Sequence, residues 1–186
     1  MVKIICLCKH LMELIILFFL LRLWIFYSIN NYYNTFIRFI VTFTDILLKY
    51  IKKFLPIKQN NELLTIIVIL FFLFFKYPIL IFLQHRNLFH KNIIIYIFIS
   101  ILTLFKIIGF LLFYIITIYL ILNFINLRFE NLNEILEIFI NQIYLFIKII
   151  CPNIYYLNIF LFIINIILYL LNNLLMDLFP QFWFLI

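Results

Sequence analysis

The chain has 186 residues, of which 69% are apolar and only 11% charged, with a formal net charge of +7. A soluble domain is about half apolar and about a quarter charged, and a fold of this length cannot hide so much apolar surface from water. The composition excludes a water-soluble globular domain and a disordered chain, which needs low hydrophobicity. It also excludes a disulfide scaffold, for which three cysteines are too few. An all-α integral membrane protein remains.

Lys3, Lys9 and an apolar run from Leu11 imitate a signal peptide. The chain has no alanine to supply the usual small-residue cleavage site, and the run continues to Ile29, long enough to span. Nor is there an Arg- and Ser-rich amphipathic presequence. The first span is expected over Leu11–Ile29. Glu13 lies four residues after Lys9, a spacing at which the two pair on a helix. Arg22 sits deeper, where a charge costs about 2.5–3.5 kcal/mol. Two outlets lower that cost: snorkelling toward Asn30, which is the simpler, or an acid on another subunit.

Phe36–Lys53 has a different pattern. Arg38, Thr42, Asp45, Lys49 and Lys52 fall on one stripe of an α-helix, with Phe and Ile filling the rest. Asp45 and Lys49 form an i,i+4 pair in the favourable order. The stripe points to a helix lying in the membrane interface; the alternative is a fifth span whose charged stripe faces a partner. Span two is expected over Leu63–Leu83, where Lys76 and Pro78 interrupt it and Pro78 should kink or end the helix. Span three, Ile93–Ile125, is broken only by Lys106 and Gly109. Its 33 residues make about 50 Å of helix, more than a hydrocarbon core of about 30 Å holds upright. It must tilt, protrude or bend near Gly109. Glu130–Lys148 repeats the amphipathic theme, with Glu130, Glu134, Glu137, Asn141, Tyr144 and Lys148 on one face. Span four is expected over Ile154–Leu175, followed by a tail whose Trp183 suits an interfacial anchor. The sequence shows no internal repeat and reads as one membrane domain, 1–186, of four spans, or five if Phe36–Lys53 crosses, plus two amphipathic interfacial helices.

Six residue types, Ile, Leu, Phe, Asn, Tyr and Lys, supply 144 of the 186 positions, and all six can be written with A and T codons alone. Residues that need G or C are scarce: no Ala, one Gly, four Pro and four Arg. In this the chain resembles the lineage-specific, mitochondrially encoded hydrophobic reading frames of the ciliate type. An AT-rich endosymbiont genome gives the same signature. The resemblance covers the whole chain, is compositional, and rests on no motif. It implies a multi-pass protein of the mitochondrial inner membrane, a subunit of a respiratory-chain complex or of the ATP synthase.

Cys6-x-Cys8-x-His10 places three soft ligands close together. On an extended strand they share a face, a candidate copper or zinc site; inert reduced thiols at a helix start are the alternative. His85 and His90 flank Arg86 at a membrane edge and are candidates for a single haem, quinone or lipid contact. On one helix they point about 140° apart, so they cannot share one iron. Lys76 and Lys106 interrupt true spans and are placed for proton handling, but with no acid in the same spans. Asn158, Asn165 and Asn172, spaced by seven, mark one packing seam and, with Glu130, Glu134 and Glu137, a candidate set of subunit contacts. Chance codon bias also accounts for the asparagines. Lys52, Lys53, Lys58, Arg86 and Lys91 are expected at lipid head groups.

Gly-rich phosphate loops, nucleophile triads and nucleic-acid motifs are absent from the sequence. The expectation is a non-catalytic accessory subunit that contacts other subunits and lipid, with neither nucleic acid nor a soluble substrate as partner. No cofactor is predicted, but bound cardiolipin or another phospholipid is. The alternatives are an ATP synthase membrane subunit and, in a different class, a stand-alone transporter or channel. The scarcity of Gly and of broken-helix pairs argues against the last.

Overall fold

The computed structural model describes residues 2–28, 34–54, 61–85, 93–125, 130–150 and 157–178. Each of these segments is an α-helix: α1 Val2–Ser28, α2 Thr35–Phe54, α3 Asn61–His85, α4 Ile93–Ile125, α5 Glu130–Ile150 and α6 Leu157–Leu178. Four are long and apolar enough to cross a membrane, over Ile5–Ser28, Asn61–Leu83, Ile93–Ile125 and Leu157–Leu178. The expected fold class is therefore observed. The first span begins earlier than Leu11, because Lys9 and Glu13 are carried inside the helix rather than stopping it. The last is helical from Leu157, and residues 154–156 lie outside the described set.

Contacts between helices fix their directions. Glu13 of α1 meets Lys76 of α3, while Arg22 and Phe26 of α1 lie beside Asn61 and Glu62 at the start of α3. The two helices are thus antiparallel. Tyr77 of α3 packs on Tyr96 of α4 with ring centroids 5.4 Å apart, so α4 turns back and runs parallel to α1. Asn165 of α6 bonds Thr117 of α4, and Asn172 lies near Lys106, which makes α6 antiparallel to α4. We call the end where α1 begins the near face and the end where α3 begins the far face.

Both amphipathic helices sit at the far face. Asn34 caps α2 by accepting the Phe36 amide on Oδ1 at 3.0 Å. At the other end, Lys52 donates to Asn61, the first residue of α3. Both ends of α2 therefore lie at one end of the bundle, and its middle crosses α1 at Arg22. In α5, Asn131 meets Asn34 and Thr35, and Gln142 accepts hydrogen bonds from Trp24 and Ser28 of α1. This is the interfacial placement that the charged stripe predicted. The α2 stripe Arg38, Thr42, Asp45, Lys49 and Lys52 is exposed, the opposite face Ile37, Ile40, Thr44 and Leu48 is buried, and an apolar flank of Phe39, Ile46 and Tyr50 stays open. Three such faces suit a helix with water above, protein on one side and acyl chains on the other.

The chain consequently runs span, surface helix, span, and then the same again. The order of α1, α2 and α3 recurs in α4, α5 and α6. Within each half the two spans pack together extensively, α1 on α3 and α4 on α6. The halves touch reciprocally where the surface helices begin: Asn34 donates to the Asn131 carbonyl, and the Asn131 amide donates to Thr35 Oγ1. The spans of the two halves run in the same directions, α4 with α1 and α6 with α3. The sequence shows no repeat because almost any apolar residue serves at a lipid-facing position.

The core follows this plan. Ile16, Phe19, Leu64, Val68, Leu73 and Ile107 join α1, α3 and α4, while Ile25, Leu111, Ile115, Phe139 and Leu161 join α1, α4, α5 and α6. Hydroxyls within the spans are satisfied along their own helices, as with Thr103 to the Ile99 carbonyl at 2.7 Å and Thr117 to the Phe113 carbonyl at 2.7 Å. Pro78 does not end its helix, since α3 continues to His85. A proline leaves the carbonyl four residues earlier, here Phe74, without its helical donor. Next to it, Ser100 of α4 donates to the Leu73 carbonyl at 3.1 Å and joins the two helices beside the proline.

Gly109 lies mid-way along a continuous 33-residue helix, and a Cβ built there meets no atom within 4 Å. Gly109→Ala should therefore raise stability, by about 0.5–1 kcal/mol from helix propensity. Denaturant titration of the purified chain in mixed micelles checks this, and a loss of stability would show that the position needs glycine.

Candidate functional site

The charges of the spans converge. Lys76 of α3 and Lys106 of α4 both donate to Glu13 Oε1 of α1, at 2.8 and 3.0 Å. The side chains of Lys76, Lys106 and Glu13 are 2%, 6% and 15% exposed. Each of the three residues lies within about 6 Å of the middle of its own span, at 1.5 Å per residue, and on the near-face side of it. His10 Nδ1 stands 3.6 Å from Glu13 Oε2, which extends the cluster toward the near face. Lys106 also lies 5.6 Å from the ring centroid of Phe110.

The local reason is periodicity. Glu13, Ile16 and Phe19 fall on the face of α1 that packs inward, so the carboxylate is carried in with the core. Lys76 stands beside the buried Leu73, Tyr77 and Leu80 on α3, and Lys106 beside the buried Thr103 and Ile107 on α4. One acid from a third span thus serves both lysines. Glu13 does not stop at a pairing with Lys9 near the start of the span, as the i,i+4 spacing had implied. Sequence reasoning looked for the acid within the lysine-bearing spans; the missed signal was a lone carboxylate on the apolar stripe of α1.

Arg22 forms a second ion pair nearer the far face. Its Nη1 lies 2.7 Å from Asp45 Oδ1 and donates to Thr44 Oγ1 at 2.6 Å and to the Val41 carbonyl at 3.3 Å. This corrects the snorkelling expectation. The acid comes from α2 of the same chain, and Asp45 turns to Arg22. The pair closes because α2 lies across α1 only six residues before α1 ends.

The other sequence candidates are distributed as follows. Cys6, Cys8 and His10 lie on one helix, not a strand. Alternate positions on a helix point about 200° apart, so Cys8 faces away from its two neighbours. Among the described residues no three His, Cys, Asp or Glu side chains are grouped to hold a metal ion. His85 is the last residue of α3, while His90, Arg86, Lys91 and Lys58 lie outside the described residues. Lys52 and Lys53 are exposed in the last turn of α2. Asn165 donates to Thr117 Oγ1 at 2.9 Å, and its Oδ1 is buried without a partner among the described residues. Asn172 is half-buried in a small gap of about 50 Å³ between α4 and α6, while Asn158 is exposed. Glu134 accepts a hydrogen bond from Asn34 at 3.5 Å, Glu137 is exposed, and Glu130 opens α5.

Four apolar spans, a buried charge cluster shared by three of them and two surface helices at one face define a multi-pass helical membrane protein. No protein family, curated protein or solved structure matches the chain.

Proposed function

We propose that this chain is a non-catalytic accessory subunit of a respiratory-chain complex in the mitochondrial inner membrane, where it scaffolds core subunits and binds lipid. The observation that carries the subunit reading is α6. Only 6% of its span is buried, and Phe162, Ile163, Ile166, Ile167 and Leu170 stand exposed along it. Its partner within the chain is chiefly α4, which leaves the rest of its circumference to lipid and neighbouring subunits. Helices in lipid gain nothing from hydrophobicity alone and associate through close packing and hydrogen bonds. Asn158 and the exposed Glu137 offer such bonds to a neighbour. The A- and T-codon composition points to the organelle, and the compact charge cluster gives the subunit a fixed internal register on which neighbours can build.

Native gel migration in mild detergent, followed by mass spectrometry, tests the reading. Co-migration with an oxidoreductase assembly is the expected result. A free, monodisperse oligomer that moves solute in liposomes would sink it.

One observation favours a second reading, a membrane subunit of the ATP synthase. Helices α2 and α5 both lie at the far face, and two helices inserted in one leaflet widen that leaflet and curve the membrane. Co-migration with the rotary enzyme selects it.

A further inference from the structure

A cavity of about 350 Å³ opens between α1, α2 and α3 at the far face. Arg22, Asp45, Asn61, Glu62 and Thr65 line it, together with apolar side chains that include Phe26 and Val41. The volume falls at the lower end of the range for small-ligand pockets, about 300–1,000 Å³. Its depth is that of the polar boundary: Asn61 and Glu62 open the α3 span, and Arg22 lies about 9 Å below the end of α1 at 1.5 Å per residue.

Two of its charged groups have unused bonding capacity. The bonds of Arg22 all leave through Nη1. A guanidinium has five donors, so its remaining N–H groups have no partner among the described residues. Glu62 has no ion pair or hydrogen bond among the described residues, and it is only part-exposed. The cavity thus offers a forked cationic donor and a carboxylate acceptor in one chamber, with an apolar flank beside them. Lys52, bonded to Asn61 at the rim, adds a second cation beside the Arg22–Asp45 pair. Among these four described groups the two carboxylates offset the guanidinium and the ammonium.

We propose that this cavity binds the head group of a zwitterionic phospholipid that carries a primary ammonium, the phosphatidylethanolamine class. Arg22 donates to the phosphate oxygens, in the pairing for which a guanidinium fork is suited. Glu62 and Asp45 accept the ammonium N–H groups, and Phe26 and Val41 line the way for the first acyl carbons. A quaternary choline has no N–H to give, so it leaves Glu62 facing methyl groups and desolvated. A doubly anionic head group brings charge that these four groups, already offset among themselves, do not match. Arg22 also repels a bare metal ion from the same chamber.

The test uses the purified full chain in detergent, with retained lipid counted by native mass spectrometry. Phosphatidylethanolamine, phosphatidylcholine, cardiolipin and soluble phosphoethanolamine are offered at equal concentration. The expected result is at least tenfold greater retention of phosphatidylethanolamine than of phosphatidylcholine. Glu62→Gln should erase that ratio and leave the unfolding midpoint unchanged, while Glu62→Asp should keep most of it. Equal retention of the two lipids, a ratio that survives Glu62→Gln, or preferential retention of cardiolipin overturns the proposal. Displacement of the lipid by soluble phosphoethanolamine overturns its lipid source. The assay reads the isolated chain, so its outcome is separable from that of co-migration with a respiratory complex.

Discussion

Glu13→Gln should destabilise the protein by about 3–5 kcal/mol, the cost of removing one partner from a buried ion pair. The carboxylate is the shared acceptor of Lys76 and Lys106, both almost fully buried near mid-span. Glutamine keeps the shape but leaves the two ammonium groups facing each other without their acid. Lys106→Met should cost much less, because Glu13 and Lys76 remain a neutral pair and methionine fills most of the lost volume. The triple variant Glu13→Leu, Lys76→Met, Lys106→Met should regain most of the stability or exceed the parent, since well-packed apolar groups often replace a buried ion cluster at no loss. Unfolding titrations in mixed micelles give the order directly. If Glu13→Gln unfolds where the parent does, the three spans are not held by this cluster.

Arg22→Met should free α2 while sparing the span bundle. Hydrogen bonds to a charged group are worth about 1.5–3 kcal/mol each. Asp45 is 50% exposed, so solvent screens that pair, and the expected cost stays near the lower end of that range. The loss is local, because Arg22 ties the middle of α2 to α1 through Asp45, Thr44 and the Val41 carbonyl. Hydrogen exchange should rise across Thr35–Phe54 and stay unchanged in α3 and α4. The buried face Ile37, Ile40 and Leu48 continues to hold α2 loosely in place. Uniform protection across α2 in the variant would show that apolar packing alone docks the helix.

Several features are legible in the sequence. The four spans follow from long apolar runs that carry only a few charges, and the α2 and α5 surface helices from polar residues recurring on one stripe. Those signals are local, carried by neighbours within about two turns of the same helix. The exposed row from Arg38 to Lys52 lies where its periodicity placed it. Other expectations are too local for one common reason. Lys9 for Glu13, Lys49 for Asp45 and the span end at Asn30 for Arg22 are what lies within reach along the chain. Their partners in the fold lie 63, 93 and 23 positions away. Pro78, expected to kink or end its helix, does not end it, since α3 runs on to His85.

The sequence by itself determined that this protein belongs in a membrane, that at least four of its helices are long and apolar enough to cross it, and that two others carry a polar stripe. It did so because solvation by acyl chains is a property of each side chain and of its helical period. Only the tertiary structure decided that α2 and α5 share one face, that the second half of the chain retraces the first, and that one carboxylate from α1 neutralises lysines from two other spans. Those outcomes depend on how far each helix slides and turns against the next. In spans built of interchangeable Ile, Leu and Phe, few residues specify that register except the buried charges, whose cost is met only when they find one another.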